Sequence, residues 1–300
     1  MSLGMRWEMN TLDGDLYNSM PVFRAGLNYQ AGKTTYLRAS FGQGYRFPSI
    51  AEKFAEADIA GLWIFKNPDL EPEQGWSSEV GIKQEFRMAG WIGFLDLALF
   101  WTEYKNMIEY RFGAYPEDPS AVPTFDDIGF KALNIGTARI TGAEFTMNGE
   151  GRLGPVNIGL TGGYTFMNPV DPQIIAEEGK GEDEAYILKY RRRHLVKGDL
   201  ELGVWKLLGG INIQYNSRMI NIDEVFSNEL TGNLILPALQ DYWYNKAGGY
   251  ILLDFRLGWI ISRSLSINYI LRNAFIVEYL GRPGDIGPPR NLTLQLKLSF

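Results

Sequence analysis

Aromatic side chains concentrate in three stretches of the chain where polar and apolar residues do not alternate. Exposed aromatic rings can stack on sugar rings or on catechols, so these stretches are candidate ligand-binding loops. The same rings could instead anchor the loops by packing or lie in a belt at a membrane interface, and the sequence leaves these interpretations open. The candidate binding residues are Trp63, Phe65, Tyr110, Phe112, Tyr115, Tyr242, Trp243 and Tyr244.

Charged side chains recur at alternate positions of segments whose intervening residues are apolar. Such charges could steer a substrate along a wet pore, or they could pair across neighbouring strands and so satisfy a polar interior. Cross-strand pairing is the interpretation that the sequence favours. The residues predicted to line this interior are Arg38, Glu79, Lys83, Glu85, Asp96, Glu144, Lys197, Asp199, Glu201, Asp254, Arg256, Arg272 and Lys297.

Enzymatic chemistry finds little support in the residue types. The chain has no cysteine and a single histidine, His194, which excludes thiolate metal sites and cysteine nucleophiles. It contains no nucleophile elbow, no P-loop and no His-Glu-x-x-His motif. The acidic run between 177 and 184 does not match the spacing of a calcium loop. A net charge of −6 is no footprint for nucleic acid. We therefore predict a protein that is no enzyme and has no cofactor, no resident metal and no nucleic-acid partner.

Residues 291–300 have the pattern of one membrane-spanning strand. Apolar side chains occupy every even position from Leu292 to Phe300, and polar side chains occupy the odd positions. Successive side chains of a strand point to opposite faces, so this strand has one apolar and one polar face. Its length is the roughly 10 residues that a tilted strand needs to cross a bilayer. The same pattern recurs upstream and predicts about twelve strands.

The connections between these segments alternate in length. Tight periplasmic turns and longer external loops are typical of outer-membrane barrels. We therefore predict an all-β, antiparallel up-and-down transmembrane β-barrel rather than a soluble sandwich or lipocalin-like fold. The short connections lie near residues 31, 89, 152, 208 and 263, and the long ones at 47–75, 105–131, 168–190, 218–249 and 279–289.

Several motifs occur in a fixed order along most of the chain, and each alone is weak. Together they resemble the C-terminal barrel region of TonB-dependent outer-membrane receptors. The matching stretches are 38–54 with its Gly44-Tyr45-Arg46-Phe47-Pro48 run, 67–73, 134–138 followed by 142–144, Arg193-His194, Arg272-Asn273, 281–284, Pro289-Arg290 and the terminal Phe300.

The resemblance implies a barrel of about 22 strands, of which this chain would supply the C-terminal part. The implied function is energy-coupled uptake of a scarce nutrient, such as siderophore-bound iron, cobalamin or a glycan, at the bacterial outer membrane. The implied partners are outer-membrane lipid and lipopolysaccharide, a plug domain, a TonB-type coupling protein and the barrel-assembly machinery, which would recognise Phe300 as an assembly signal. A small-molecule or glycan ligand completes the set.

Two departures from the family leave other functions open. No plug domain and no signal peptide are recognisable, so residues 1–300 are expected to be one barrel domain that is a segment of a larger receptor. A passive pore of about twelve strands is the alternative. A soluble β-rich binding protein is the least favoured. The last strand needs a second neighbour: either Leu3–Thr11 supplies it, or the barrel stays open.

Overall fold

The structure is a computed structural model, and it describes residues 1–12, 15–59, 62–118, 120–177, 184–228, 232–233, 237–245, 248–282 and 284–298. Within them sixteen strands form. They are β1 (Ser2–Leu12), β2 (Asp15–Gln30), β3 (Thr35–Arg46), β4 (Ala57–Ile59), β5 (Leu62–Phe65), β6 (Glu73–Met88), β7 (Trp91–Lys105), β8 (Ile108–Ala114), β9 (Ile128–Asn134), β10 (Thr137–Leu153), β11 (Val156–Val170), β12 (His194–Val204), β13 (Leu207–Asn216), β14 (Tyr250–Ile260), β15 (Leu265–Arg272) and β16 (Asn291–Leu298).

Twelve of the strands form one large antiparallel sheet, in the order β1-β2-β3-β6-β7-β10-β11-β12-β13-β14-β15-β16. Each strand therefore pairs with the next large strand along the chain, which is the up-and-down arrangement that the sequence predicts. The predicted number of about twelve strands is confirmed for this sheet. Two strands extend beyond the segments that alternation predicts. β2 begins at Asp15 rather than at Val22, and β10 runs from Thr137 to Leu153 rather than from Ile140 to Asn148. At the far end of β10 one face carries Gly149 and Gly151, so the alternation of polar and apolar residues is lost there.

The pairing register places the alternating side chains on consistent faces. Leu97 lies opposite Ile82 on one side and opposite Phe145 on the other, so three apolar residues share a face. Leu97 is 46% exposed, although it lies in the middle of a long strand. Asp96 follows on the opposite face, beside Lys83. The sheet therefore has an uncovered apolar outer face and a polar inner face.

Short turns join the strands at one end of the sheet, and five long loops join them at the other end. The turn between β6 and β7 contains Ala89 and Gly90, both with positive φ, as a two-residue hairpin turn that matches the twist of its strands requires. From β2 onward the predicted alternation of short and long connections is confirmed, whereas β1 and β2 are joined by only two residues at the end where the long loops lie. The long loops, numbered here from the first to the fifth, are residues 47–72, 106–136, 171–193, 217–249 and 273–290.

The long loops contain regular structure that the sequence pattern does not predict. The first and second loops together form a four-stranded sheet in the order β4-β5-β9-β8, in which β5 and β9 pair in parallel. The described helices are short and lie in the loops. They are α1 (Ile50–Phe54), α2 (Pro172–Glu177), α3 (Glu224–Ser227) and α4 (Leu239–Asn245), with a 3-10 turn at Phe125–Asp127. Among the described residues no helix has the length and apolar character to cross a membrane.

The twelve-stranded sheet is open. β1 and β16 lie at its two edges and do not pair with each other. Of the two arrangements that the sequence allows, closure by the first strand is therefore wrong and the open arrangement is the one observed. β16 is exposed along its whole described length, because it has a neighbour only on the β15 side. Phe300, the predicted assembly signal, lies outside the described residues.

Candidate ligand-binding vestibule

Charged side chains on the inner face meet across neighbouring strands. The Nε of Arg38 donates to Glu79 at 2.7 Å, and its Nη1 donates to Asp96 at 2.7 Å. These three residues come from β3, β6 and β7, so one guanidinium ties three adjacent strands together. Gly81 leaves the room: a Cβ there would lie 2.6 Å from the Arg38 guanidinium carbon. The ladder geometry fits the pairing interpretation of these residues.

A second cluster repeats the arrangement further round the sheet. Arg256 of β14 donates two hydrogen bonds to Asp199 of β12, at 2.7 and 2.9 Å. Glu201 lies 4.0 Å away, and Asn212 of β13 also donates to Asp199. Gly210 again provides the space, since a Cβ there would lie 2.7 Å from the arginine nitrogens. Both clusters therefore combine one arginine, two acids and one glycine.

The other predicted inner-face residues lie on the same face by register. The ammonium of Lys83 lies 4.1 Å from the centre of the Phe94 ring, and Asp254 accepts a hydrogen bond from the backbone N–H of Asn273. Their lining role as a set stays a prediction. The remaining members are Glu85, Glu144, Lys197, Arg272 and Lys297.

The first two long loops rest on a small buried core. Leu70 is 0% exposed and packs with Ile108 and Ala132. Lys53 is also buried, and its ammonium donates to the carbonyl of Leu70 at 2.9 Å. Asn134 clamps the same segment by exchanging two hydrogen bonds of 2.9 Å with the backbone of Glu71. These contacts explain why the 67–73 motif and Asn134 have their residue types: they lock one loop onto the next.

The first two long loops with their buried core are called the loop platform here. An arginine at the end of β3 holds the loop platform to the sheet. Arg46 donates to Glu73 at the start of β6 and to Glu52 of α1. Glu52 also caps α1 by accepting from Ser49. The Glu52 pKa lies below its ordinary value: burial opposes the ionised form, but the bonds from Arg46 and Ser49 outweigh it. The Gly-Tyr-Arg-x-Pro run is therefore a structural joint between sheet and loop.

Three of the predicted aromatic residues form a cluster on the platform. Phe65 lies between Trp63, at 6.5 Å, and Tyr115, at 5.5 Å between ring centres. The ammonium of Lys131 lies over the Tyr115 ring at 5.5 Å. The Tyr115 hydroxyl donates to the backbone of Arg111, and burial raises the pKa of that hydroxyl. This group packs within the loops.

A second aromatic chain joins different loops. Phe112 of the second loop meets Phe130 edge to face at 5.2 Å, and Phe130 stacks on Phe226 of the fourth loop at 6.4 Å. Phe226 belongs to a buried cluster with Met219, Ile222 and Leu239. The second and fourth loops therefore share one apolar core.

The remaining predicted aromatics divide by exposure. Trp243 packs against the fourth-loop core with the Arg218 guanidinium 5.7 Å from its ring, and Tyr242 lies beside it. Tyr110 is 41% exposed and Tyr244 is 65% exposed. These two have the accessibility that stacking on a ligand needs, and their binding role stays a prediction.

A buried carboxylate that the sequence pattern does not single out joins the third and fourth loops. Asp223 accepts hydrogen bonds from the Lys189 ammonium and the Tyr190 hydroxyl. Burial and Asp223 together raise the pKa of Tyr190 well above its ordinary value. A cavity of about 400 Å³ opens beside this junction. It is lined by Phe112, Lys189, Asp223, Glu224, Val225 and Asn228.

A further acid lies near the same junction. Burial raises the pKa of Glu109 above its ordinary value, although Arg191 and Arg111 partly offset that effect. The surface formed by the second, third and fourth loops is called the vestibule here. It combines aromatic rings, the hydrogen-bonded carboxylate of Asp223 and basic side chains. Such a surface suits a ligand with both flat apolar parts and polar groups.

Comparison with known proteins identifies the family of this chain. A model of the TonB-dependent receptor-like β-barrel family matches residues 1–273. The chain belongs to the TonB-dependent receptor family. It is also 28% identical over 110 residues to the vitamin B12 transporter BtuB of Vibrio vulnificus strain CMCP6, a match that covers 36% of this chain and 16% of that protein.

Solved receptor structures share the fold. A mutant of the ferric enterobactin receptor of Pseudomonas aeruginosa, in complex with enterobactin, has a TM-score of 0.65 at 15% identity, covering 99% of this chain and 43% of that one. The hemophore receptor HasR of Serratia marcescens has a TM-score of 0.60 at 15% identity, covering 100% and 46%. The ferric-catecholate import receptor Fiu of E. coli K12 has a TM-score of 0.61 at 18% identity, covering 96% and 37%. The chain thus spans less than half the length of these receptors.

Proposed function

We propose that this chain is the barrel segment of an energy-coupled outer-membrane receptor that takes up a scarce nutrient. The observation that carries the proposal is the combination of an uncovered apolar outer face with a polar, ion-paired inner face in a sheet of receptor topology. An apolar face of this extent marks a contact surface, and in an up-and-down antiparallel sheet with a polar inner face it is typical of the band that faces lipid. Membership of the receptor family supplies the class of activity.

The ligand class follows from the vestibule and from the relatives. The similar proteins are a vitamin B12 transporter, a ferric enterobactin receptor, a ferric-catecholate receptor and a hemophore receptor in complex with its hemophore and heme. For this chain we propose a siderophore-bound iron, cobalamin or glycan ligand that contacts Tyr110 and Tyr244. Flat, polar-edged ligands match exposed tyrosines, which offer a ring face and a hydroxyl.

The open sheet supports partners in the same membrane. Unpaired strand edges are not tolerated in lipid, so β1 and β16 need strands beside them. We propose that further barrel strands cover both edges and that a plug domain fills the lumen and engages a TonB-type coupling protein. Outer-membrane phospholipid, lipopolysaccharide and the barrel-assembly machinery, through Phe300, complete the proposed partners.

The structure also bears on the two alternatives. A closed twelve-stranded pore would pair β1 with β16, and these strands do not pair. A soluble binding protein would cover the apolar face that is exposed here. Neither alternative gains a specific observation in its favour.

Uptake measurements test the proposal. Cells that carry the gene are supplied with a ferric catecholate, cobalamin or a maltodextrin as the limiting nutrient, with and without a protonophore. We expect uptake of one nutrient that stops when the proton gradient collapses. Uptake that continues without the gradient would support a passive pore and contradict the proposal.

A matched variant pair locates the binding surface. Tyr110→Ala with Tyr244→Ala should weaken binding of that nutrient about 5- to 150-fold, since loss of each stacking ring costs about 0.5–1.5 kcal/mol. Phe125→Ala is the control, because Phe125 is an exposed loop aromatic outside the proposed surface. Equal loss in both variants would place the site elsewhere.

A further inference from the structure

Two neighbouring short turns each contain a basic residue and no acidic residue. The turn between β12 and β13 contains Lys206, and the turn between β14 and β15 contains Arg263. Residues 202–211 and 255–272 include no aspartate or glutamate. The long loops have the opposite balance: the first and second loops each hold five acidic and two basic residues. The short-turn edge is therefore locally positive here, while the loop edge is acidic.

The two turns touch each other. The ammonium of Lys206 donates to the carbonyl of Ile261 at 3.1 Å, and the backbone N–H of Ile260 donates to the Lys206 carbonyl at 2.8 Å. Arg263 lies two residues beyond Ile261, between Ser262 and Ser264. Lys206, Arg263 and both serines are exposed. Two turns that contain two basic residues and two serines therefore lie side by side at this end of the sheet.

Large apolar side chains surround these turns. Trp205 is 89% exposed beside Lys206, and Trp259 and Leu207 are exposed and paired on the outer face. The apolar outer face of β13 and β14 thus continues into the turns without a polar break. Tryptophan side chains beside cations are typical of the level where lipid headgroups lie.

We propose that the turn pair 205–206 and 261–264 binds the headgroup phosphate of an anionic phospholipid in the periplasmic leaflet, with Lys206 and Arg263 as its cations. The inference rests on the proposed membrane position, because short turns of receptor barrels face the periplasm. The phosphate accepts from the ammonium, the guanidinium and the serine hydroxyls, while Trp205 and Trp259 cover the glycerol and the upper acyl chains. An acidic protein partner fits less well, since the apolar belt continues directly into the site.

The same end of the sheet supplies a matched control. Arg87 and Arg152 also lie at short turns and are exposed, but their register places them on the inner face. Arg152 lines an inner cavity together with Glu150 and Glu201. Removing these two cations changes the net charge by the same amount and leaves the proposed lipid site intact.

Native mass spectrometry of the full chain in detergent micelles tests the proposal, with phosphatidylglycerol and phosphatidylcholine of identical acyl chains as ligands. We expect tighter binding of phosphatidylglycerol by the unaltered chain. Lys206→Gln with Arg263→Gln should weaken it about 5- to 25-fold, because each interfacial cation contributes roughly a factor of five. Phosphatidylcholine binding should fall much less, because its choline offsets the charge of the same phosphate, and Arg87→Gln with Arg152→Gln should behave like the unaltered chain.

The charge-conserving pair Lys206→Arg with Arg263→Lys should keep the lipid preference, which separates charge from turn folding. Unchanged phosphatidylglycerol binding in the Gln pair, or an equal loss in the Arg87 and Arg152 control, would overturn the proposal. A chain that shows energy-dependent uptake but no lipid preference contradicts only this inference. A chain that associates with neither lipid contradicts the proposed membrane function as well.

Discussion

The strands and the long loops of this chain are built by different kinds of contact. In the twelve-stranded sheet, the surroundings of each side chain are set by the residues two positions away on its own strand and by one partner on each adjacent strand. Leu97, between Ile82 and Phe145, is an example. In the loops, stability comes from single side-chain contacts that no repeating pattern generates, such as the Lys53 ammonium on the Leu70 carbonyl and the Tyr190 hydroxyl on Asp223. The sheet therefore repeats one pattern of contacts, whereas the loop region depends on contacts that each occur once.

The largest effect is expected where the loops depend on one side chain. Leu70→Ala should destabilise the loop platform by about 2–5 kcal/mol, because it empties a fully buried site between two loops. Limited proteolysis should then cut within residues 47–72 while the sheet stays intact. Val122→Ala, at an exposed loop position, is the control. Loss of the whole sheet in Leu70→Ala would show that the two regions are not separable.

A charge on the outer face probes the sheet itself. Leu97→Arg should cost about 2–4 kcal/mol of stability in lipid vesicles, because its side chain faces the bilayer interior. Thr146→Arg, on the inner face opposite Asp96, should cost much less. Urea unfolding in vesicles measures both. Equal loss of stability in the two variants would contradict the assignment of Leu97 to the outer face and of Thr146 to the inner face.

The junction between the third and fourth loops should respond to loss of one charge. Asp223→Asn weakens the bonds from Lys189 and Tyr190, and charge-assisted hydrogen bonds contribute about 1.5–3 kcal/mol each. Amide exchange of residues 186–190 should accelerate, with no change in the strands. Asp241→Asn, at an exposed position of α4, serves as control. Unaltered exchange in Asp223→Asn would mean that the apolar core alone holds these loops.

The smallest effect concerns pH. The folded-state pKa of Glu109 is raised by burial, so its contribution to stability is present below the unfolded pKa and is lost as pH rises through the folded pKa. The ordinary glutamate pKa is about 4.3. The loops should therefore resist heat or protease slightly better near pH 4.5 than at pH 7. Glu109→Gln should reduce this dependence, and Glu117→Gln, an exposed loop acid, should not. A dependence of opposite sign would contradict the burial argument.

The sheet could be predicted from the sequence because its code is local. Alternation with period two marks β7 and β16 directly, and short turns separate paired segments. The far end of β10 could not be predicted, because Gly149 and Gly151 interrupt the alternation of polar and apolar residues there. Openness could not be predicted either, because the pattern of β1 does not tell whether β16 reaches it.

The vestibule could be predicted only in outline. Aromatic residues in long loops were a visible signal, but burial of Phe112 and Trp243 depends on partners such as Phe130 and Leu239 that lie elsewhere in the sequence. Asp223 has no pattern that separates it from other loop acids. The parallel pairing of β5 with β9 joins residues near 63 and 129, and no local pattern encodes such a contact.

The central claim is that alternate residues face lipid and water, and single cysteines test it most directly. The chain has no cysteine of its own, so each added thiol reports alone. Cysteines at Leu97, Asp96, Leu294 and Gln295 are treated with a water-soluble maleimide after assembly in the outer membrane. We predict labelling at Asp96 and Gln295 and protection at Leu97 and Leu294. Equal labelling at all four positions would contradict the account.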